Sequence, residues 1–130
     1  MAKDKPANKN NISGLTKSSL KGTIDIKTKC QIRADFGYQK ESTKVPRKVL
    51  VKIESRLLLL SRDGFLTAPF GKKINNKLFE IRVNVGSQWR VLYSYLTNHQ
   101  IILLSIFNKK TQKLPQKEYQ KAIKRLEKYI

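Results

Sequence analysis

The sequence predicts an α+β domain, a small antiparallel sheet with helices packed on it. Three observations predict it. Residues 78–108 hold three closely spaced strand patterns separated only by short turn signals, as in an antiparallel meander. Two segments, each opened by a proline, repeat apolar residues at helical spacing, one before the meander and one after it. An alternating segment precedes the first of them, so the order is strand, helix, three strands, helix.

The elements follow in chain order. Residues 1–20 are rich in Lys, Asn, Ser and Gly with no apolar period, which predicts a flexible basic tail ahead of a domain over 21–130. From Thr23 to Ile32, the residues Ile24, Ile26, Thr28, Cys30 and Ile32 alternate with Asp25, Lys27, Lys29 and Gln31, the period of a half-buried strand. Asp35-Phe36-Gly37-Tyr38 reads as a turn after it. Pro46 suits the first turn of a helix. Val49, Leu50, Ile53, Leu57, Leu58 and Leu60 repeat helically after it, and Gly64 behind Asp63 is a natural left-handed cap, giving a helix from Pro46 to Arg62. Phe65–Lys77 is a loop marked by Pro69, Gly71, Asn75 and Asn76, and it carries Lys72, Lys73 and Lys77. The strands Leu78–Asn84, Trp89–Leu96 and Gln100–Asn108 follow, joined by hairpin turns at Gly86-Ser87 and Thr97–Gln100. Pro115 opens a last helix to about Tyr129, with a narrow apolar stripe of Tyr119, Ala122, Ile123, Leu126 and Ile130.

Length and composition bound the function. The 130 residues are enough for one domain with a core that needs no staples, and 39% are apolar. The charge dominates: 28 Lys and Arg against 9 Asp and Glu give +19. Self-repulsion on that scale is usually offset by a polyanion, either nucleic acid or an acidic protein. The N-terminal tail is then an unstructured leader, or an arm that adds electrostatic grip on RNA. A membrane surface fits less well, because the apolar stripe of the last helix is narrow and suits packing on a sheet. No stretch is long enough to span a membrane and the N-terminus has no secretory apolar region, so the expected location is the cytoplasm.

Most catalytic classes lack their residues. The single cysteine, Cys30, excludes an internal disulfide and a cysteine zinc site, and reads as a buried hydrophobe. The single histidine, His99, lies in a turn, where a solvated residue is expected rather than a metal ligand. The carboxylates are scattered, and there is no glycine-rich phosphate loop, nucleophile elbow or Cys–His pair. Neither a metal nor an organic cofactor is expected.

What remains is a cationic cluster. Glu80 and Arg82 share one strand face, opposite Phe79, Ile81 and Val83. In the next strand Arg90, Leu92 and Ser94 share a face, opposite Trp89, Val91, Tyr93 and Tyr95. Arg82 and Arg90 lie one hairpin apart and can meet across the ladder. Two facing arginines are tolerated if Glu80 or a phosphate sits between them, and an exposed salt bridge from Glu80 to either is the plainer alternative. The basic run Asn108–Pro115 follows the last strand and is either a solvated charge run or a phosphate-binding rim. These parts suit RNA cleavage without metal. The substrate supplies its own nucleophile, the ribose 2′-OH, and arginine binds phosphate oxygens with its planar fork. Proton transfer would fall to a lysine whose pKa is lowered by other cations, or to Tyr93, which could equally be a core aromatic.

The run LFEIRVNVGSQWRVLYSYLTNHQIILLSIFNKKTQKLP, at Leu78–Pro115, resembles the HigB-like, phage-derived branch of the RelE/ParE toxin superfamily. The pieces that carry it are LFEIR, WRVLY, IILLSIF and KKTQKLP ahead of a charged helix, with PRKVLVKIESRLLLLSRDG similar to the helix before the sheet. The resemblance covers about Lys44 to Ile130. It implies the RelE-like fold, a curved antiparallel sheet with helices packed on one side and a C-terminal helix. It implies the toxin of a type II toxin–antitoxin system: a metal-independent mRNA endoribonuclease that acts with the ribosome. The implied partners are mRNA, the ribosome and a neutralising antitoxin, often a helix-turn-helix protein, with DNA met only through the antitoxin complex. The catalytic candidates are Arg82, Arg90, Lys110 and Tyr93; Lys72, Lys73, Lys77, Lys109 and Lys113 are RNA-binding candidates. Relatives often carry His where this chain has Ser105, which leaves acid–base work to Lys or Tyr. The alternatives are a ParE-like gyrase poison and a non-catalytic nucleic-acid-binding protein.

Overall fold

The computed structural model describes residues 29–113 and 115–130. The predicted tail and residues 23–28 of the first predicted strand lie outside them. The elements are β1 (Gln31–Ala34), α1 (Phe36–Ser42), α2 (Arg47–Asp63), β2 (Gly71–Lys73), β3 (Phe79–Val85), β4 (Ser87–Leu96), β5 (Gln100–Lys109) and α3 (Gln116–Leu126), which ends in a 3-10 turn at Glu127–Tyr129. The five strands form one sheet in the order β1-β5-β4-β3-β2. This is the expected α+β class with its C-terminal helix.

The meander forms as the turn chemistry requires. Gly86 adopts φ 72° between β3 and β4, and Asn98 and His99 adopt φ 61° and 57° between β4 and β5. His99 is exposed, as a solvated turn residue should be. Gly64 closes α2 at φ 85°, its N–H donating to Leu60 O at 2.8 Å.

Four features differ from the sequence expectation. The sheet is mixed, because β1 pairs parallel to β5 from Gln31↔Gln100 to Ala34↔Leu103. The long connection between them permits a parallel return. The expected turn at Asp35 is a helix start: Asp35 Oδ2 accepts the Gly37 N–H at 2.7 Å and caps α1. With one buried residue, Tyr38, so short a helix has no readable apolar period. Part of the expected 65–77 loop forms the edge strand β2. Finally, α1 and α2 lie on one face of the sheet and α3 on the other. Val49, Ile53, Leu57 and Leu60 of α2 pack in one core with Ile81, Val83, Val91, Tyr93, Ile101 and Leu103. Tyr119, Ala122 and Leu126 of α3 pack in a second core with Leu78, Leu92, Ile102 and Leu104. The unbroken apolar run Ile101–Leu104 is what a strand covered on both faces requires.

The position of α3 is fixed at the sheet edge. β1 pairs with β5 only as far as Leu103, so the following backbone groups of β5 need other partners. Glu41 of α1 accepts the Ile106 N–H at 3.2 Å, and Arg125 of α3 donates to Leu104 O at 2.7 Å. Arg125 also donates to both oxygens of Glu41 at 3.0 Å, and Lys121 reaches Glu41 at 2.6 Å. One turn on, Asp35 accepts from Tyr129 at 2.6 Å and pairs with Lys128 at 2.7 Å. No helix among the described residues is long and apolar enough to cross a membrane.

Candidate functional site

The register of the sheet brings the cations together. Arg82 is directly opposite Arg90, Glu80 is opposite Leu92, and Lys72 is opposite Glu80. Partners across an antiparallel rung share a face. Gln88 lies two residues from Arg90 and pairs with Lys109. Lys72, Glu80, Arg82, Arg90 and Lys109 therefore stand on one face of the sheet, the face on which α3 packs.

Two like charges on one rung need compensation, and Glu80 supplies it. Its carboxylate is buried. Oε1 accepts from Arg82 Nε at 3.1 Å and Oε2 lies 3.9 Å from Arg90 Nε. The two arginines then differ. Arg90 is 7% exposed, and its terminal nitrogens donate to Trp89 O at 2.8 Å and to Asn84 Oδ1 and Gln88 Oε1 at 3.3 Å. Burial lowers its pKa, Glu80 counters the shift, and Arg82 adds to it. Arg82 is 31% exposed, and its two terminal nitrogens have no hydrogen bond among the described residues. Arg82 thus offers a free planar fork, braced through Nε, whereas Arg90 is built into the sheet.

Tyr119 completes the site, although the sequence pattern places it only in the apolar stripe of the last helix. It is buried at the first turns of α3, and its hydroxyl has no hydrogen bond among the described residues. Burial raises its pKa, the Glu80 charge raises it further, and Arg82 and Arg90 pull it back. The residue packs with Leu92, the rung partner of Glu80. The available signal was a tyrosine within an otherwise aliphatic stripe on a helix that had to lie against a cationic sheet face.

Tyr93 is a correction. It is buried on the opposite face, in the α2 core, with its ring stacked on Phe79 at a centroid distance of 5.6 Å and Tyr95 edge-on at 5.8 Å. Burial, then Tyr95, raises its pKa. It can neither stack on a base nor relay a proton to the arginine face. Lys73 pairs with Phe79 and points to that same opposite face. Lys77 is exposed in the turn before β3, with its N–H donating to Asn75 Oδ1 at 2.8 Å. Lys110 and Lys113 are exposed in the segment after β5. Ser105 is fully buried, paired with Leu92 beneath α3, and its hydroxyl is unpartnered. The side chain at that position does not reach solvent. Cys30 is a buried free thiol, raised in pKa by burial. No group of three or more His, Cys, Asp or Glu among the described residues is placed to hold a metal ion.

Comparison with known proteins agrees with this architecture. No curated protein sequence matches the chain. Among solved structures, an arginine-substituted mutant of the E. coli toxin RelE in the free state matches with a TM-score of 0.60 and 16% identity, covering 77% of this chain and 99% of that one. The toxin–antitoxin complex RelBE2 of Mycobacterium tuberculosis matches with a TM-score of 0.49 and 19% identity, covering 62% and 98%. The fold is therefore that of RelE. The model of the family described as phage derived protein Gp49-like matches residues 40–127, which hold the whole arginine face and both helices that frame the sheet. The chain belongs to the Gp49-like family of phage-derived proteins, carried on a RelE-like fold.

Proposed function

We propose that this protein is the toxin of a toxin–antitoxin pair and cleaves mRNA by in-line attack of the ribose 2′-OH on the adjacent phosphate. The observation that carries the reading is the Arg82 fork, held by buried Glu80 and left unpaired at its tip among the described residues, on the sheet face where Tyr119 packs against Leu92, the rung partner of Glu80.

The chemistry follows from these groups. The 2′-oxygen bonds to phosphorus, the bond to the 5′-oxygen of the next nucleotide breaks, and the products are a 2′,3′-cyclic phosphate and a 5′-hydroxyl. Arg82 binds the non-bridging oxygens, whose charge grows in the transition state. Lys72 and Lys109, on the same face, hold the flanking backbone. Tyr119, with its raised pKa, remains protonated near neutrality and serves as a donor to the phosphate or the leaving oxygen, not as a base. The 2′-OH proton passes to water. An acidic antitoxin segment laid on the cationic face would neutralise the chain, and ribosome-bound mRNA is the substrate.

Two results are expected. Cleavage rate rises with pH through the neutral range and does not fall until Tyr119 deprotonates, above the ordinary tyrosine value of about 10. Tyr119→Phe slows cleavage by about 10²-fold, the scale of one general acid, with little change in melting. A rate that declines from pH 7 upward would remove Tyr119 from the mechanism. Incubating the purified protein with free RNA, ribosome-bound mRNA and supercoiled DNA with gyrase tests the proposal as a whole. RNA scission supports it. Intact RNA with inhibited supercoiling assigns the chain to gyrase poisoning, and salt-sensitive binding without products assigns it to passive nucleic-acid binding.

A further inference from the structure

The face that carries Arg82 also carries a groove of different character. It runs between α3 and the turn before β3, has a volume of ≈ 670 Å³, and includes Tyr119. Tyr119 packs with Leu92, the rung partner of Glu80 on the next same-face rung to Arg82 and Arg90. That volume is within the range of ligand clefts, about 300–1,000 Å³. Its apolar walls are Ile74, Leu78 and Ile123. Its polar groups are mainly amides: Asn75 in the turn, and Gln116 and Gln120 on α3. In a chain of net charge +19, the described residues that line the groove include one cation, Lys124, and one anion, Glu127. Its side chains add no net charge, so it suits a neutral, flat, polar ligand better than a phosphate.

We propose that this groove is a nucleobase subsite, holding the unpaired base whose 3′-phosphate lies on Arg82. The inference rests on the RNA-cleavage reading and deepens it. Single-stranded RNA is read by stacking and by hydrogen bonds to base edges, and apolar walls with a tyrosine and amides supply both. The amides are free for this. Gln116 and Gln120 make no side-chain hydrogen bond among the described residues. The oxygen of Asn75 is already occupied, accepting the N–H of Lys77 at 2.8 Å and of Leu78 at 2.9 Å. Its NH₂ is therefore left as a donor only. That NH₂ can donate to a base carbonyl or a ring nitrogen, and the two glutamine amides offer acceptors as well as donors, so the groove takes a base edge of either kind.

The test is a titration of the ¹⁵N-labelled full chain with inorganic phosphate and with the uncleavable 3′-monophosphates of guanosine, uridine and adenosine, followed by NMR. Phosphate is expected to shift the Arg82 Nε signal alone. All three nucleotides are expected to shift the Asn75 and Gln120 side-chain amides as well, saturating at severalfold lower concentration than phosphate. Asn75→Ala weakens nucleotide binding; because Asn75 also closes a turn, Gln120→Ala on the exposed helix surface is the second variant and weakens binding of all three nucleotides without changing the phosphate response. Shifts at Arg82 with silent groove amides would overturn the subsite and leave the phosphate site standing. No shift at Arg82 with any ligand would overturn the RNA-cleavage reading, and the subsite with it.

Discussion

Replacing Arg82 with Ala is expected to reduce RNA cleavage by about 10²–10³-fold, the loss seen when one donor to a transition-state oxyanion is removed, while the protein melts within a few degrees of the parent. Among the described residues Arg82 makes one ion pair, to Glu80, and its terminal nitrogens have no hydrogen-bond partner. Lysine at this position keeps the charge but not the fork, and recovers only part of the rate. Arg90→Ala is expected to do the reverse. Its guanidinium donates to Trp89 O, Asn84 and Gln88 and faces buried Glu80, so removal opens a gap under the sheet face and leaves a buried carboxylate short of a partner. The loss of stability is about 2–4 kcal/mol, read by urea denaturation, and activity falls with the folded fraction. Equal loss of cleavage in two equally stable variants would show that both arginines touch substrate.

A comparably large effect on stability is expected at Glu41. This carboxylate joins the exposed edge of β5 to α3 through the Ile106 N–H, Arg125 and Lys121. Glu41→Ala leaves Arg125 and the Ile106 N–H without it, a loss of about 3 kcal/mol, or roughly 10–20 °C in Tm for a domain of this size. Cleavage should suffer beyond the stability loss, because α3 carries Tyr119. The same contacts set the acid limit. Burial alone would raise the pKa of Asp35, yet hydrogen bonds from Lys128, Tyr129 and the Gly37 N–H hold it below the usual range. Glu41 is likewise raised by burial but held low by Arg125, Lys121 and the Ile106 N–H. Carboxylates with a depressed folded pKa contribute their full stability above the ordinary carboxylate range, about pH 4. That contribution is lost as pH falls through the lowered values. The parent should therefore lose Tm steeply below about pH 4, and Glu41→Gln should flatten that decline. An unchanged acid profile in Glu41→Gln would show that the α1–α3 contacts do not set it.

Much of this was legible in the sequence because local rules governed it. The meander follows from short turn signals, α2 from its apolar period and Gly64, and the Arg82–Arg90 rung from strand alternation across one hairpin. Long-range geometry was not legible. The parallel pairing of β1 depends on where a distant strand lies, and no local pattern encodes it. The side on which α3 packs depends on the run Ile101–Leu104 being covered from both faces, and a run of that kind is also compatible with a simple buried strand. Tyr93 sits on the same strand as Arg90, but its odd spacing from Arg90 sends it to the other face. Tyr119 lies thirty-seven residues beyond Arg82 and reaches the same sheet face on α3, which Glu41 and Asp35 hold in place.

An RNA oligonucleotide cleaved by the parent protein should be remade with a single 2′-deoxy substitution at the cut position and incubated with chelator present. If the substrate supplies the nucleophile to a phosphate held by Arg82, the all-ribose strand yields 2′,3′-cyclic phosphate and 5′-hydroxyl ends, and the deoxy position stays intact. Arg82→Ala leaves both strands whole. Scission at the deoxy position, or unimpaired scission by Arg82→Ala, would refute that chemistry.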